Sequence, residues 1–163
     1  MKGNSPLFGN IRYLNPKAGD VSYMGTGDRS TFAKYVSKRK DKDVGGRLDV
    51  IAHGKSSSIE IDNHGDVCKI NAREAARLIR KNQNFKKCKI IRLLSCNTGS
   101  DPNGFAQHLA NALGKPVEAP NNYVWANRDG TYFVAGRTKS LKPDYQDFGE
   151  FITFVPGGNK NGK

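Results

Sequence analysis

Very little in this chain can tie a fold together covalently or through a metal. Only three of its 163 residues are cysteines, and Cys68, Cys88 and Cys96 form no CxxC pair. An odd, widely spaced set excludes a disulfide framework and suits thiols kept reduced. Histidines are as few, at positions 53, 64 and 108. With no recurring ligand spacing among them, neither a metal nor any other cofactor is expected. No apolar run approaches the roughly 20 residues of a spanning helix, so no membrane span is expected. The opening Met1-Lys2-Gly3-Asn4-Ser5-Pro6 lacks the apolar stretch of a signal peptide, so export is expected to need a carrier. Internal repeats and low-complexity blocks are absent too. Acidic residues are scarce: 15 Asp and Glu stand against 27 Lys and Arg, for a formal net charge of +12. Such a field attracts nucleic acid, an anionic membrane surface or an acidic protein. The densest basic cluster, Lys38-Arg39-Lys40-Asp41-Lys42-Asp43, suits the C-terminal end of a helix.

What the chain does carry is an alternation of strand and helix patterns, which predicts a layered α/β domain with a largely parallel sheet. One domain over residues 1–156 and a flexible tail over 157–163 are expected. Val21 to Met24 reads as a strand, followed by a helix over about 31–40 capped by Ser30. Leu48 to Ala52 is a second strand. A hairpin then turns at residues 63–66, and Asn71 with Glu74 resembles a capping box opening a helix. Cys88 to Leu94 is a third strand. Pro102 stands near the start of a helix with the stripe Phe105, Ala106, Leu109, Ala110 and Leu113, stopped by Gly114. Pro116 to Ala119 is a short fourth strand. A second hairpin spans Tyr123 to Trp125 and Tyr132 to Ala135, and Phe151 to Val155 reads as a last strand. Residues 137–150 are polar and carry no clear pattern.

Two strands end in chemically useful pairs, the second strand at His53-Gly54 and the third at Ser95-Cys96. A hairpin and a helix separate them, as a parallel crossover requires. If the two strands are neighbours, about 4.8 Å apart, both residues stand on one rim of the sheet, where α/β sheets bind ligands. A thiol and an imidazole in reach make a nucleophile and its base. Gly54 has no side chain, so its N–H can approach a substrate, and the Cys96 N–H is a second donor for an oxyanion. The dipole of the helix after Cys96 would lower the thiol pKa if aimed at it.

The apolar strand ending in His-Gly (Leu48 to Gly54) and the later one ending in Ser-Cys (Ile90 to Cys96) resemble the caspase-like, clan CD peptidases. The resemblance implies a three-layer sandwich, a mainly parallel central sheet flanked by helices, with added hairpins. It implies a His53/Cys96 dyad cleaving peptide bonds, an oxyanion hole at Gly54, and no metal in the chemistry. The caspases' own sequence around the nucleophile is absent, so the resemblance implies no side-chain preference. Residues 93–99, 105–110 and 114–120 with Trp125 resemble C-terminal modules of bacterial polymorphic toxins of the Rhs and contact-dependent inhibition types. That second resemblance implies delivery by a larger secreted or cell-surface parent into a target cell's cytoplasm. It also implies a cognate immunity protein, which the net charge predicts to be acidic.

Asp28, Ser95, Asp101 and Trp125 are further candidates for the cleft, with Tyr123 as a possible wall beside Trp125. Cys68 and Cys88 read as structural, His64 as a solvated turn residue and His108 as helix surface. Arg92 interrupts the apolar strand before Cys96, and is expected to face solvent or the substrate side. The function expected is a cysteine endopeptidase toxin acting on a target-cell protein or on its own parent polypeptide. The alternatives are a basic nuclease or nucleic-acid-targeting toxin, and a non-catalytic binding module on the same fold.

Overall fold

A computed structural model of the chain describes residues 12–15, 20–24, 30–42, 45–63 and 65–158. Its first half contains β1 (Arg12–Asn15), β2 (Asp20–Ser22), α1 (Phe32–Val36), β3 (Arg47–Ile51), β4 (Gly54–Lys55), β5 (Ser58–Asn63), β6 (Asp66–Ile70) and α2 (Ala72–Arg80). The second half contains β7 (Ile90–Leu94), α3 (Phe105–Leu113), β8 (Val117–Pro120), β9 (Tyr123–Ala126), β10 (Tyr132–Arg137), β11 (Pro143–Phe148) and β12 (Phe151–Phe154). The central sheet has the order β1-β2-β3-β7-β8-β12. Its four inner strands run parallel, and β1 and β12 close the two edges antiparallel. Two three-stranded antiparallel sheets, β4-β5-β6 and β11-β10-β9, lie apart from it.

The period-2 rule sorts the inner strands cleanly onto two faces. Leu48, Val50, Ile91, Leu93 and Val117 join the larger core with Ile59 and Ile61 of β5, the alanines of α2 and the Phe105–Leu113 stripe of α3. Each large side chain buried there contributes about 1.5–3 kcal/mol. Helix α2 begins with the expected capping box: Asn71 Oδ1 accepts from Glu74 N, and Glu74 Oε1 accepts from Asn71 N, both at 2.9 Å. Gly114 ends α3 in the left-handed conformation, at φ 70°. On the opposite face Ile51 and Leu94 meet Met24 and Val36, with Phe32, Ala126, Tyr132 and Phe151 packed around them. That face is covered by one five-residue helix and the β9–β10 ribbon rather than by long helices.

Several expectations are revised. Helix α1 is half the predicted length, and its N-cap is Thr31, without a side-chain hydrogen bond, in place of Ser30. The basic run that follows is not simply a solvated helix end. The Arg39 guanidinium bonds back to Val36 O at 2.9 Å and turns inward, fully buried, to Asp49 Oδ2 at 2.6 Å. Arg92 does not face solvent: it lies on the sheet face shared by His53 and Cys96, but buried in mid-strand away from the cavity. It is 4% exposed and sits opposite Asp49 in the β3–β7 ladder, its Nη2 2.8 Å from Asp49 Oδ2. Residues 143–148, unassigned from sequence, form β11 on β10 across a register shift. Strand β1 was not anticipated. The Gly157 amide donates to Asn111 Oδ1 at 2.7 Å and Gly158 to Val155 O, so the first two residues of the expected tail are held. The rest of that tail lies outside the described residues. Among these, no helix is long and apolar enough to cross a membrane.

The buried charges form one network. Arg39, Arg47 and Arg92 all converge on Asp49. Asp41 pairs with Arg92 at 3.0 Å and accepts from the Tyr132 hydroxyl. Burial disfavours the Arg92 cation, but Asp49 and Asp41 outweigh that and hold it more firmly protonated. Removing the carboxylate would leave three largely buried guanidinium groups with only the partly exposed Asp41 to offset them. Asp49→Asn is therefore expected to cost about 3–5 kcal/mol of folding stability. Urea denaturation checks this, and a loss below about 1 kcal/mol would show that the network does not support the fold.

Candidate active site

The β3–β7 register places the two predicted residues. Ile51 is paired with Leu94, and both side chains lie on the α1 face. His53 and Cys96 each stand two residues beyond that matched pair, so period 2 returns both to the same face and the same rim. They line one cavity of about 380 Å³. Thr31 and Phe32 at the start of α1, Tyr123 to Ala126 of β9, Arg137 at the end of β10 and Leu141 complete its wall.

The loop carrying Cys96 is fixed by its neighbours. Asn97 takes the left-handed conformation at φ 61°, which asparagine tolerates better than most residues. Its amide donates to Asn122 O at 2.9 Å, and Gly99 N donates to Pro120 O at 2.8 Å. The Thr98 hydroxyl donates to Ser95 O at 2.9 Å. Gly54 abuts this loop so closely that a Cβ there would lie 2.2 Å from Ser95 Oγ and 3.2 Å from Cys96 O. The strands thus pack Gly54 directly against Ser95 and Cys96. Glu60 N donates to His53 O at 2.9 Å, and Gly54 is the next pair along, opposite Ile59. Hydrogen-bonded and open pairs alternate in an antiparallel ladder, so the Gly54 N–H turns away from β5.

Cys96 is half-buried against the edge of β9. The Val124 N–H donates to its sulfur at 3.3 Å, and Val124 O lies 3.8 Å away as an acceptor for the thiol proton. Burial pushes the Cys96 thiol up. The Val124 and Cys96 amides and the positive charge of Arg137 oppose that, without overcoming it. The expected help from a helix dipole is not realised. Helix α3 starts only at Phe105, where the Phe105 and Ala106 amides are already bonded to Ser56 O and Thr98 O.

The remaining predicted residues divide. Trp125 and Tyr123 do line the cavity. Ser95 is fully buried behind Cys96 rather than in the cleft, and its Oγ has no hydrogen-bond partner among the described residues. An orphaned hydroxyl of this kind costs about 1–3 kcal/mol. Asp101 is exposed outside the cavity wall, its Oδ1 accepting from Asn103 N in a local turn. Asp28 and His64 lie outside the described residues. His108 is exposed, Cys88 is buried and Cys68 is partly buried. Among the described residues no group of three or more His, Cys, Asp or Glu is placed to hold a metal ion.

Val124, Arg137 and Leu141 were missed. Ala135 pairs with Tyr123 across β9 and β10, so Arg137, two residues on, continues the same face. Extending the predicted hairpin arm by one period would have found it. Leu141 carries a positive φ of 64° and is 66% exposed, a pairing of backbone strain and exposed apolar surface seen at binding sites.

Residues 19–134 match the model of a protein family described as Domain of unknown function (DUF8616). That segment includes His53, Gly54, Cys96 and Trp125, and ends before Arg137. No curated protein matches the chain.

A raised thiol pKa means that Cys96 rests as the neutral thiol at neutral pH. Its alkylation by iodoacetamide, followed by mass spectrometry, is expected to rise with a midpoint above the ordinary cysteine value of about 8.5. A plateau already reached at neutral pH would instead reveal a standing thiolate.

Proposed function

The chain belongs to the DUF8616 family of domains of unknown function, and we propose that it is a caspase-like cysteine endopeptidase. One observation carries this reading: His53 and Cys96 share the wall of one cavity at the C-terminal rim of paired parallel strands. His-Gly after one strand and Ser-Cys after its neighbour, on a mainly parallel sheet, support the caspase-like layout.

The chemistry follows from the groups present. His53 takes the thiol proton as the Cys96 sulfur bonds to the scissile carbonyl carbon, and the carbonyl electron pair moves onto oxygen. The N–H groups of Gly54 and Cys96 steady that oxyanion. Its collapse breaks the C–N bond, and the imidazolium returns the proton to the leaving amine. A water that gives its proton to His53 then attacks the thioester, releasing a carboxylic acid and restoring the thiol. The neutral resting thiol makes His53 a true general base and not only a counter-ion.

The toxin-module resemblance supplies the context. In that reading a larger secreted or cell-surface parent delivers the domain into a target cell's cytoplasm. There it cleaves a host protein, or it releases itself from the parent, and an acidic immunity protein restrains it at home. The net charge of +12 favours a second reading, a toxin acting on nucleic acid. The two separate on one comparison. Expression of the wild type in bacteria is expected to yield newly cleaved proteins by terminal-peptide mass spectrometry, and Cys96→Ala to abolish them with the fold retained by circular dichroism. His53→Ala should lower the rate by about 10²-fold or more. Undiminished toxicity in Cys96→Ala, or nucleic-acid degradation that survives thiol alkylation, would overturn the peptidase reading.

A further inference from the structure

The aromatic residues of the β9–β10–β11 sheet are scattered over positions 123–148, and the pleat gathers them onto one face. Residues paired across an antiparallel ladder point to the same side. Trp125 pairs with Phe133, and Ala135 pairs with Tyr123 on one flank and Phe148 on the other. Tyr145 joins them, its ring stacked on that of Phe133 at 5.8 Å between centroids. The alternate residues Val124, Ala126, Tyr132 and Val134 turn inward, buried or packed on the small apolar cluster. The outward face thus holds five rings, a third of all the phenylalanine, tyrosine and tryptophan in the chain. Ala135 is fully buried among them, yet Tyr145 is 64% and Phe148 62% exposed. So much ring surface left in water marks a binding face.

Charge and spacing say what would cover it. Arg137 stands on the same side, its guanidinium carbon 4.6 Å from the centre of the Tyr123 ring. The acids of β11 turn the other way. Asp144 is paired with Gly136, and a Cβ on Gly136 would meet Asp147 Oδ2 at 2.2 Å. Among the described strand residues the outward face therefore carries a cation and no carboxylate, in a chain of net charge +12. The Phe133, Tyr145 and Phe148 centroids are 5.8–6.3 Å apart. That spacing suits bases splayed from one another, not bases stacked every ~3.4 Å as in a duplex strand. An apolar protein segment would cover the rings and leave the charge unanswered. A duplex would answer the charge and keep its base faces out of reach. A single strand offers both a polyanion and exposed aromatic rings.

We propose that the outward face of the β9–β10–β11 sheet binds single-stranded nucleic acid. It stacks about two or three bases on Phe133, Tyr145 and Phe148, with Arg137 toward the phosphates. The site needs neither His53 nor Cys96, so it stands independently of the peptidase reading and assigns no cleavage of the strand.

The test titrates thymidine and uridine oligonucleotides, and a duplex of equal length, into the full chain. Fluorescein-labelled strands report affinity by anisotropy. Unlabelled strands report contact with this face by quenching Trp125, the chain's one tryptophan. The single strands are expected to quench Trp125 and to bind about tenfold or more tightly than the duplex. A preference for uridine over thymidine would identify RNA, through its 2′-hydroxyl, as the source of the strand, and the reverse DNA. Tyr145→Ala and Phe148→Ala, shown folded by circular dichroism, should each weaken single-strand binding about fivefold or more. Tyr145→Phe and Phe148→Tyr should keep it. The alanine variants should leave the slope of log affinity against log salt unchanged, whereas Arg137→Met should reduce it by about 0.7. Equal binding of duplex and single strand, or full affinity in the Tyr145→Ala/Phe148→Ala double variant, would overturn the proposal, because charge alone would then bind the strand. No binding by any strand, with the double variant slowing the protein cleavage seen for the wild type, would reassign the face to protein docking and leave the peptidase reading standing.

Discussion

The parallel pairing of β3 with β7 is the constraint on which the site depends, and a buried ion pair in mid-strand specifies its register. Side chains alternate along a strand, so a slip of one residue would turn every side chain of β7 to the other face. Arg92 would then enter the apolar core beneath α2 and α3, and Cys96 would leave the face that His53 occupies. Asp49 and Arg92 oppose each other directly in the ladder. Any slip would separate two desolvated charges, which is far more unfavourable than losing an exposed pair. A buried ion pair is weak evidence for stability against an apolar alternative. Here its position argues for a role in specifying which residues meet at the rim.

The two faces of the sheet divide the work. The α2–α3 face buries continuous apolar surface and holds the strands rigid. The other face is thinner, and it combines a small apolar cluster with the arginine network. Asp41 and Tyr132 link that network to β10, whose far end carries Arg137. The β9–β10 ribbon is therefore anchored at one end through Tyr132, and at the other it borders the cavity, held by the Asn97–Asn122 backbone bond and by β11. This arrangement places cavity-lining residues of β9 and β10 on a ribbon bonded to the central sheet's charged network. His53 and Cys96 themselves stand at the rim of the central sheet, where placement is most exact.

Much of this was legible in the sequence, for identifiable reasons. The strand ends at His53 and Cys96, both hairpins and the Asn71 capping box are local signals, and local signals survive in a single sequence. Arg92 was misread because a charge in an apolar run ordinarily faces water, and its partner is distant along the chain. Yet a signal existed: Asp49 and Arg92 stand equally far ahead of His53 and Cys96, with opposite charge, as a paired register would require. The shortened α1 was not legible, because Arg39 leaves the helix for a tertiary bond to Asp49. Strand β11 was hidden by polar residues such as Asp144, Gln146 and Asp147 on an exposed edge, where propensity and hydrophobic pattern carry little information. The position of Asp101 depended on where α3 begins, and eight turn residues intervene between Cys96 and that helix.

The environment of Cys96 bears on how a peptidase of this form would start its reaction. A pocket dry enough to favour the neutral thiol penalises an isolated thiolate, so sulfur must ionise as it attacks and not beforehand. Val124 N–H and the Cys96 amide are fixed donors whose effect on sulfur is the same with or without substrate. Arg137 is different. Its field favours the thiolate from an exposed position at the cavity wall, without offsetting burial. In a peptidase of this form the proton would pass to His53 in step with attack on the substrate carbonyl, not before it. A free cysteine near a basic surface would otherwise be exposed to stray oxidation and alkylation. Keeping it protonated at rest gives the half-buried sulfur an uncharged resting state.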